Sequence, residues 1–218
     1  MGDEMRTALI VRGGWEGHAP VETTELFRPG LVAAGFEVDI ADDLDVYLDA
    51  ERLKRTDLIV QCWSQGELTK EQAAGLTGAV HAGTGFAGWH GGIVGTFTTN
   101  TDYLRMVGGL FLFHPEEFLE YEVTIDAPHP IVAGLSDFTV CTEQYWLLSD
   151  SLNDVIARTA VTPSAGGHGP GLVSMPVVWT RRWGAGRLFF SAIGHRVADL
   201  EHPTVRELTH RGLVWAAR

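Results

Sequence analysis

Gly85-Phe86-Ala87-Gly88-Trp89-His90-Gly91-Gly92 decides how this chain is read, because an apolar, strand-like run stops abruptly on a histidine and two glycines with the outline G-x-H-x-G. A sharp strand-to-helix turn of that outline presents its middle side chain above the carboxyl ends of parallel strands. In several α/β hydrolytic families that side chain is a serine or cysteine nucleophile. Here it is His90, and an imidazole is a proton shuttle or a metal ligand near neutral pH rather than an acyl-accepting nucleophile. The plain alternative is a glycine-rich loop after a core strand with one exposed histidine.

Upstream of the elbow the pattern alternates between strand and helix. Ala8-Leu9-Ile10-Val11 is an apolar run ending in Gly13-Gly14, and Pro20 to Ala34 carries Val21, Leu26, Leu31 and Val32 at helical spacing before Gly35 stops it. Phe36, Val38 and Ile40 alternate as a second strand, Leu53 sits in a short charged helix, and Leu58 to Trp63 reads as a fully buried third strand. Thr69 with Gln72 forms a capping-box pattern ahead of Ala73, Leu76 and Val80, and Gly83 closes that helix. Such alternation predicts a mostly parallel sheet whose ligand crevice lies beyond the strand carboxyl ends.

Downstream the texture changes. Leu119, Tyr121, Val123 and Ile125 alternate with Glu120, Glu122, Thr124 and Asp126, the mark of a strand with one wet face in an antiparallel extension. Strands follow near Val155-Ile156-Ala157 and Pro176 to Trp179, and Gly184-Ala185-Gly186 predicts a hairpin turn into Arg187 to Ser191. A second apolar strand then ends on Gly194-His195, and Pro203 opens a final helix with Val205, Leu208 and Leu213 on one side. The glycine-rich stretch Ser164 to Gly171 lacks the strand-to-helix context of a phosphate loop.

Composition sets outer limits. With 218 residues, 45% hydrophobic and 20% charged, the chain is ordinary for a globular protein, and one domain over 1–218 is expected. A formal net charge of -12 argues against a nucleic-acid partner, which needs concentrated Lys and Arg. The N-terminus has no signal-peptide pattern and no run reaches membrane-spanning length, so a cytoplasmic protein without a membrane partner is expected. The two cysteines, Cys62 and Cys141, suit reduced thiols packed in the core rather than a disulfide framework.

The chemistry-bearing residues fall at strand ends or in neighbouring loops: His18, His90, Glu143 and His195. Loops after different parallel strands converge on one crevice, so these four are expected to share a pocket. Paired with a carboxylate, a histidine serves as general base or acid near pH 7. Equally, three imidazoles and one carboxylate make an open site for Zn²⁺ or Mn²⁺. The sequence leaves both readings open. His114, before Pro115, is placed to reach the same crevice, whereas His129 before Pro130 reads as a turn residue, and His81, His202 and His210 as helix residues outside the site. Trp15 and Trp89 are expected as pocket walls, since an aromatic ring offers a ligand apolar area with a polar edge.

Several blocks taken together carry a resemblance: Gly88-Trp89-His90-Gly91-Gly92, His129-Pro130-Ile131-Val132-Ala133-Gly134-Leu135, Thr142-Glu143-Gln144-Tyr145, and Pro176 to Trp179 with Gly184 to His195. In this order they resemble the ThuA-like family, named for a trehalose utilisation protein, over nearly the whole chain. The resemblance implies a flavodoxin-like α/β sandwich of the class I glutamine amidotransferase type, with His90 standing where the amidotransferase cysteine would be. It also implies a role in handling sugars, with a glycoside or disaccharide oxidised to its 3-keto form by a partner sugar dehydrogenase. A 3-carbonyl acidifies the C2 hydrogen, so His90 or His195 would be the base that starts elimination of the glycosidic oxygen. Glu143 would then orient that base or protonate the leaving group, and the Gly91-Gly92 amides or a metal would stabilise the enolate. Trp89 replaces the family's usual small aliphatic residue and Gly91 stands where Ser is common. The alternative function is a non-catalytic sugar- or metabolite-binding domain, and homo-oligomerisation is compatible with either.

Overall fold

The computed structural model describes residues 5–162 and 171–218, so residues 164–170 of the glycine-rich stretch lie outside the described residues. The chain runs β1 (Arg6–Gly14), α1 (Pro20–Ala33), β2 (Phe36–Ala41), α2 (Ala50–Arg55), β3 (Leu58–Ser64), α3 (Lys70–Ala82), β4 (Gly85–Trp89), α4 (Gly91–Val94), α5 (Thr101–Val107) and β5 (Gly109–Phe113). It continues through β6 (Leu119–Ile125), β7 (Phe138–Thr142), β8 (Trp146–Ser149), β9 (Asp154–Val161), β10 (Val173–Trp183), β11 (Gly186–Ser191), α6 (Val197–Glu201) and α7 (Pro203–Ala216). Among the described residues nine strands form one sheet in the order β2-β1-β3-β4-β11-β10-β9-β6-β7, and β5 pairs with β8 in a separate two-stranded ribbon.

The strand order explains where a site can form. β2, β1, β3, β4 and β11 are parallel neighbours, and the 2-1-3-4 order with one further parallel strand is the flavodoxin-like arrangement, with its crevice at the strand carboxyl ends. Gly14 pairs with Ser64, Gln61 with Gly88 and Trp89 with Ser191, so the ends of β1, β3, β4 and β11 lie side by side. The other half, from β10 to β7, is antiparallel, and the mostly parallel expectation holds for the half that ends at His90.

Local sequence accounts for the elements. β1, β3 and β4 are continuous apolar runs because helices cover both faces of a parallel sheet, and Ala8, Leu9, Val11, Leu58, Ile59, Ala87 and Phe86 are buried in a single hydrophobic cluster. The capping box of α3 forms as expected, with the Thr69 hydroxyl accepting from Gln72 N and the Gln72 side chain accepting from Thr69 N. Gly184, at φ 58°, supplies the left-handed first position of the β10–β11 hairpin turn. On α7, Val205, Leu208 and Leu213 are buried against the sheet. No helix among the described residues is long and apolar enough to cross a membrane.

Two expectations need correction. Cys141 is exposed, because β7 alternates and its position falls on the wet face, while Cys62 is buried as expected. Trp89 is only 1% exposed and packs 5.0 Å from Phe27, so it fills the core beneath the elbow instead of walling a pocket. The β5–β8 ribbon, β7 and the short helices α5 and α6 have no counterpart in the sequence reading, while α4 is the helix side of the expected strand-to-helix turn.

Candidate functional site

His90 occupies the elbow as a strained residue. Its backbone sits at φ 50°, ψ −143°, a conformation costly for a side chain with a Cβ and stable only where the surroundings over-determine it. Here its N–H donates to Ser191 O at 2.7 Å, and its ring Nδ1 lies 2.8 Å from Ala192 O. A carbonyl only accepts, so Nδ1 carries the proton and Nε2 of the neutral ring is left as a lone pair. That lone pair faces Tyr145 Oη at 2.6 Å and Glu143 Oε2 at 3.0 Å. The tyrosine can donate. A carboxylate cannot, so Nε2 and Oε2 oppose acceptor to acceptor unless a proton or a cation lies between them.

The other groups arrive from neighbouring strand ends. A short turn after β1, Glu16–His18, carries His18, whose Nδ1 bonds Ser64 Oγ at 2.6 Å. His18 also packs over Gly91, where an added Cβ would sit 2.8 Å from Nδ1 and closer still to Cε1. His195 follows β11, and its Nδ1 is buried 3.2 Å from Glu143 Oε1 without the alignment of a hydrogen bond. Glu143 follows β7, and its backbone carbonyl is held by the Tyr121 hydroxyl at 3.2 Å. His114, whose Nδ1 lies 2.5 Å from Pro115 O, turns Nε2 to within 3.3 Å of Glu143 Oε1. One donor atom from each of His18, His90, Glu143 and His195 lies within 4.8 Å of the other three.

Burial sets the protonation states. It pushes His18 down to about 3, helped by His90 and His195, and pushes His90 down although Glu143 and Ala192 O oppose it. Burial works against ionisation of Glu143, but His195 and His90 outweigh it and hold the carboxyl below the usual carboxylate range. The Tyr145 phenol is raised by burial and by Glu143, so it stays protonated. At pH 7 His18 and His90 are therefore neutral imidazoles beside the Glu143 carboxylate, the ligand-competent form of these three groups. Nitrogen and oxygen donors of this kind suit Zn²⁺ or Mn²⁺. The Ser64 and Ala192 contacts to Nδ1 of His18 and His90 are of the kind that orients an imidazole ligand.

The profile of trehalose utilisation proteins, ThuA, matches residues 7–216. The chain belongs to the ThuA family. A ThuA-like protein from Bacteroides uniformis superposes with a TM-score of 0.79 at 21% identity, covering 99% of this chain and 93% of that one. Another, from Parabacteroides merdae, gives 0.79 at 18% identity over 98% and 90%. A β-galactosidase from Rahnella sp. R3 matches at 0.60 and 15% identity, the chain covering 30% of its length. At these identities the likeness concerns fold. No curated protein sequence matches the chain.

In this ThuA-family chain the structure gathers His18, His90, Glu143 and His195 as the sequence suggested, with His114 beside them. Trp15, 46% exposed, stands at the rim, 4.7 Å from the His18 ring and 6.5 Å from that of His195. Gly91 backs His18. Gly92 packs on the Cys62 backbone, its carbonyl accepting from Gln61, and so seats the elbow on β3. Sequence reasoning missed Ser64, one residue past the apolar run of β3, and Tyr145, which lies within a quoted motif but carries no spacing signal of its own. It missed Phe118 as well, 5.5 Å from the His195 ring in an irregular loop.

Proposed function

We propose that this protein is a divalent-metal-dependent enzyme that cleaves or hydrates a glycoside or disaccharide carrying a ring carbonyl, a 3-keto glycoside. The observation that carries the reading is the acceptor-to-acceptor approach of His90 Nε2 and Glu143 Oε2 at 3.0 Å, with the other His90 nitrogen committed to Ala192 O. His18, His90, Glu143 and His195 would hold the cation, which supplies Lewis-acid polarisation of a carbonyl oxygen. With those four engaged, the proton work moves to the neighbours. His114 Nε2, an acceptor because Nδ1 is tied to Pro115 O, takes the C2 proton. The Tyr145 hydroxyl, 2.6 Å from His90, donates to oxygen where negative charge develops. In this reading Glu143, held ionised and engaged with the cation, orients the site, and the Tyr145 hydroxyl protonates the leaving oxygen.

The bonds balance simply. As the C2–H bond breaks to the base, its electron pair forms the C1–C2 double bond and the glycosidic C1–O bond breaks. The leaving oxygen takes up a proton, and water then adds at C1 with return of a proton to C2. An oxidoreductase that converts the C3 hydroxyl to the carbonyl must act beforehand. The test is release of aglycone from methyl 3-keto-glucopyranoside by protein loaded with Zn²⁺ or Mn²⁺. Stoichiometric sugar binding with no release would leave a binding domain instead.

A further inference from the structure

Trp15 and Phe118 are large aromatic residues left 46% and 41% exposed, and both lie against His195, at ring separations of 6.5 and 5.5 Å. Exposure alone says little, since scattered surface apolar residues are normal. What sets these two apart is how they are fixed. The guanidinium of Arg196 covers a face of Phe118 at 3.9 Å, a cation–π contact. Arg196 is itself clamped, its Nη2 donating to Asp199 Oδ1 at 2.7 Å and to Cys141 O at 2.9 Å. Asp199, 7% exposed, accepts from the Thr142 hydroxyl at 2.6 Å, and Thr142 directly precedes Glu143. Phe118 is thus registered to the same backbone that places the carboxylate. Trp15 folds over Gly17, where any Cβ would collide with the indole. By contrast, exposed Leu148, Leu152 and Leu172 have no such anchoring among the described contacts.

We propose that Trp15 and Phe118 form an aromatic subsite that takes the apolar face of the ring attached to the scissile oxygen, so that the natural substrate carries a second sugar ring or an aryl aglycone. The inference rests on the enzymatic reading above. The oxidised ring must bring its carbonyl to the buried cation that His90 and Glu143 would hold, so the portion that projects outward past His195 is the leaving group, and it meets these two rings. Aromatic faces suit the C–H face of a pyranose, or a second aromatic ring, because each offers apolar area with a polar edge.

The test uses inert probes, so that it is read independently of turnover. Metal-loaded protein is titrated with unoxidised phenyl and methyl β-D-glucopyranoside by NMR, and the ratio of dissociation constants is taken. The wild type is expected to bind the phenyl glycoside about 3–10-fold more tightly, the range of one or two aromatic stacks. Phe118→Leu and Trp15→Leu should each bring the ratio toward one, while Phe118→Tyr keeps it, with thermal midpoints showing that all three fold. A wild-type ratio near one, or a ratio that both leucine variants leave unchanged, overturns the subsite. Failure of the wild type to release methanol from the methyl 3-keto glycoside overturns the enzymatic reading instead and leaves the ratio readable.

Discussion

Gly91→Ala is the sharpest perturbation the site offers. Gly91 lies in α4, outside the left-handed region, so alanine suits its backbone and, by helix propensity alone, should stabilise by up to about 1 kcal/mol. The added methyl, however, would sit 2.8 Å from His18 Nδ1 and closer to Cε1, so the imidazole must retreat by on the order of 1 Å to reach ordinary contact. His18 cannot move that far and keep its 2.6 Å contact to Ser64 Oγ. Loss of such an outer partner of a metal-bound histidine costs roughly 10–100-fold in metal affinity. The assay is Zn²⁺ competition against a chromophoric chelator, with thermal melts of chelated protein as a control. Gly91→Ala should lose roughly 10–100-fold in affinity and keep its apo melting temperature. In a His18→Ala background the same substitution should add nothing, because its only route of action is gone. Wild-type affinity for Gly91→Ala, or additive losses in the double variant, would refute the reasoning.

Other consequences are equally concrete. His114→Ala should lower turnover of a 3-keto glycoside by roughly the 10²–10⁴-fold of a lost general base while leaving metal content unchanged; loss of the metal would show that it is a ligand instead. Glu143→Gln, which keeps shape but removes the charge, should cut Zn²⁺ affinity at least as much as Gly91→Ala, and equal binding would remove the carboxylate from the ligand set. Gly88→Ala places a methyl against the Gln61 carbonyl and 2.7 Å from the Ile93 side chain, and should lower stability by about 1–3 kcal/mol, read as a reduced urea midpoint with an unchanged slope. For pH, His18 titrates near 6.5 when unfolded and about 3 when folded, so between those values the unfolded chain binds the extra proton. The metal-free protein should therefore lose stability as pH falls from 6.5. Glu143, depressed below its unfolded 4.5, adds a loss of the same sign at lower pH. His18→Ala should flatten the decline of melting temperature between pH 6.5 and 4, and an unaltered slope would contradict the assignment.

What was legible in the sequence follows from the physics of each segment. β1, β3 and β4 are buried on both faces and announce themselves as continuous apolar runs, and the elbow does so through its glycines, so the parallel half and its crevice could be read directly. The ribbon of β5 and β8 could not, because Gly109 to Phe113 and Trp146 to Ser149 are five- and four-residue pieces with long-range partners and no turn between them. Trp89 falls in the core because a strand covered on both faces buries its last side chain whichever way it points, whereas the sequence shows only that it adjoins the elbow. Ser64 and Tyr145 touch ring nitrogens of residues 46 and 55 positions away, contacts created only by the convergence of strand ends.

Metal content decides the central claim most directly. Protein purified without added metal or chelator, measured by elemental analysis alongside His90→Ala and His195→Ala, should contain close to one Zn or Mn per chain in the wild type and a strongly reduced amount in both variants. Wild-type protein that carries no transition metal and takes up neither Zn²⁺ nor Mn²⁺ on titration, or variants that retain the wild-type content, would contradict the account.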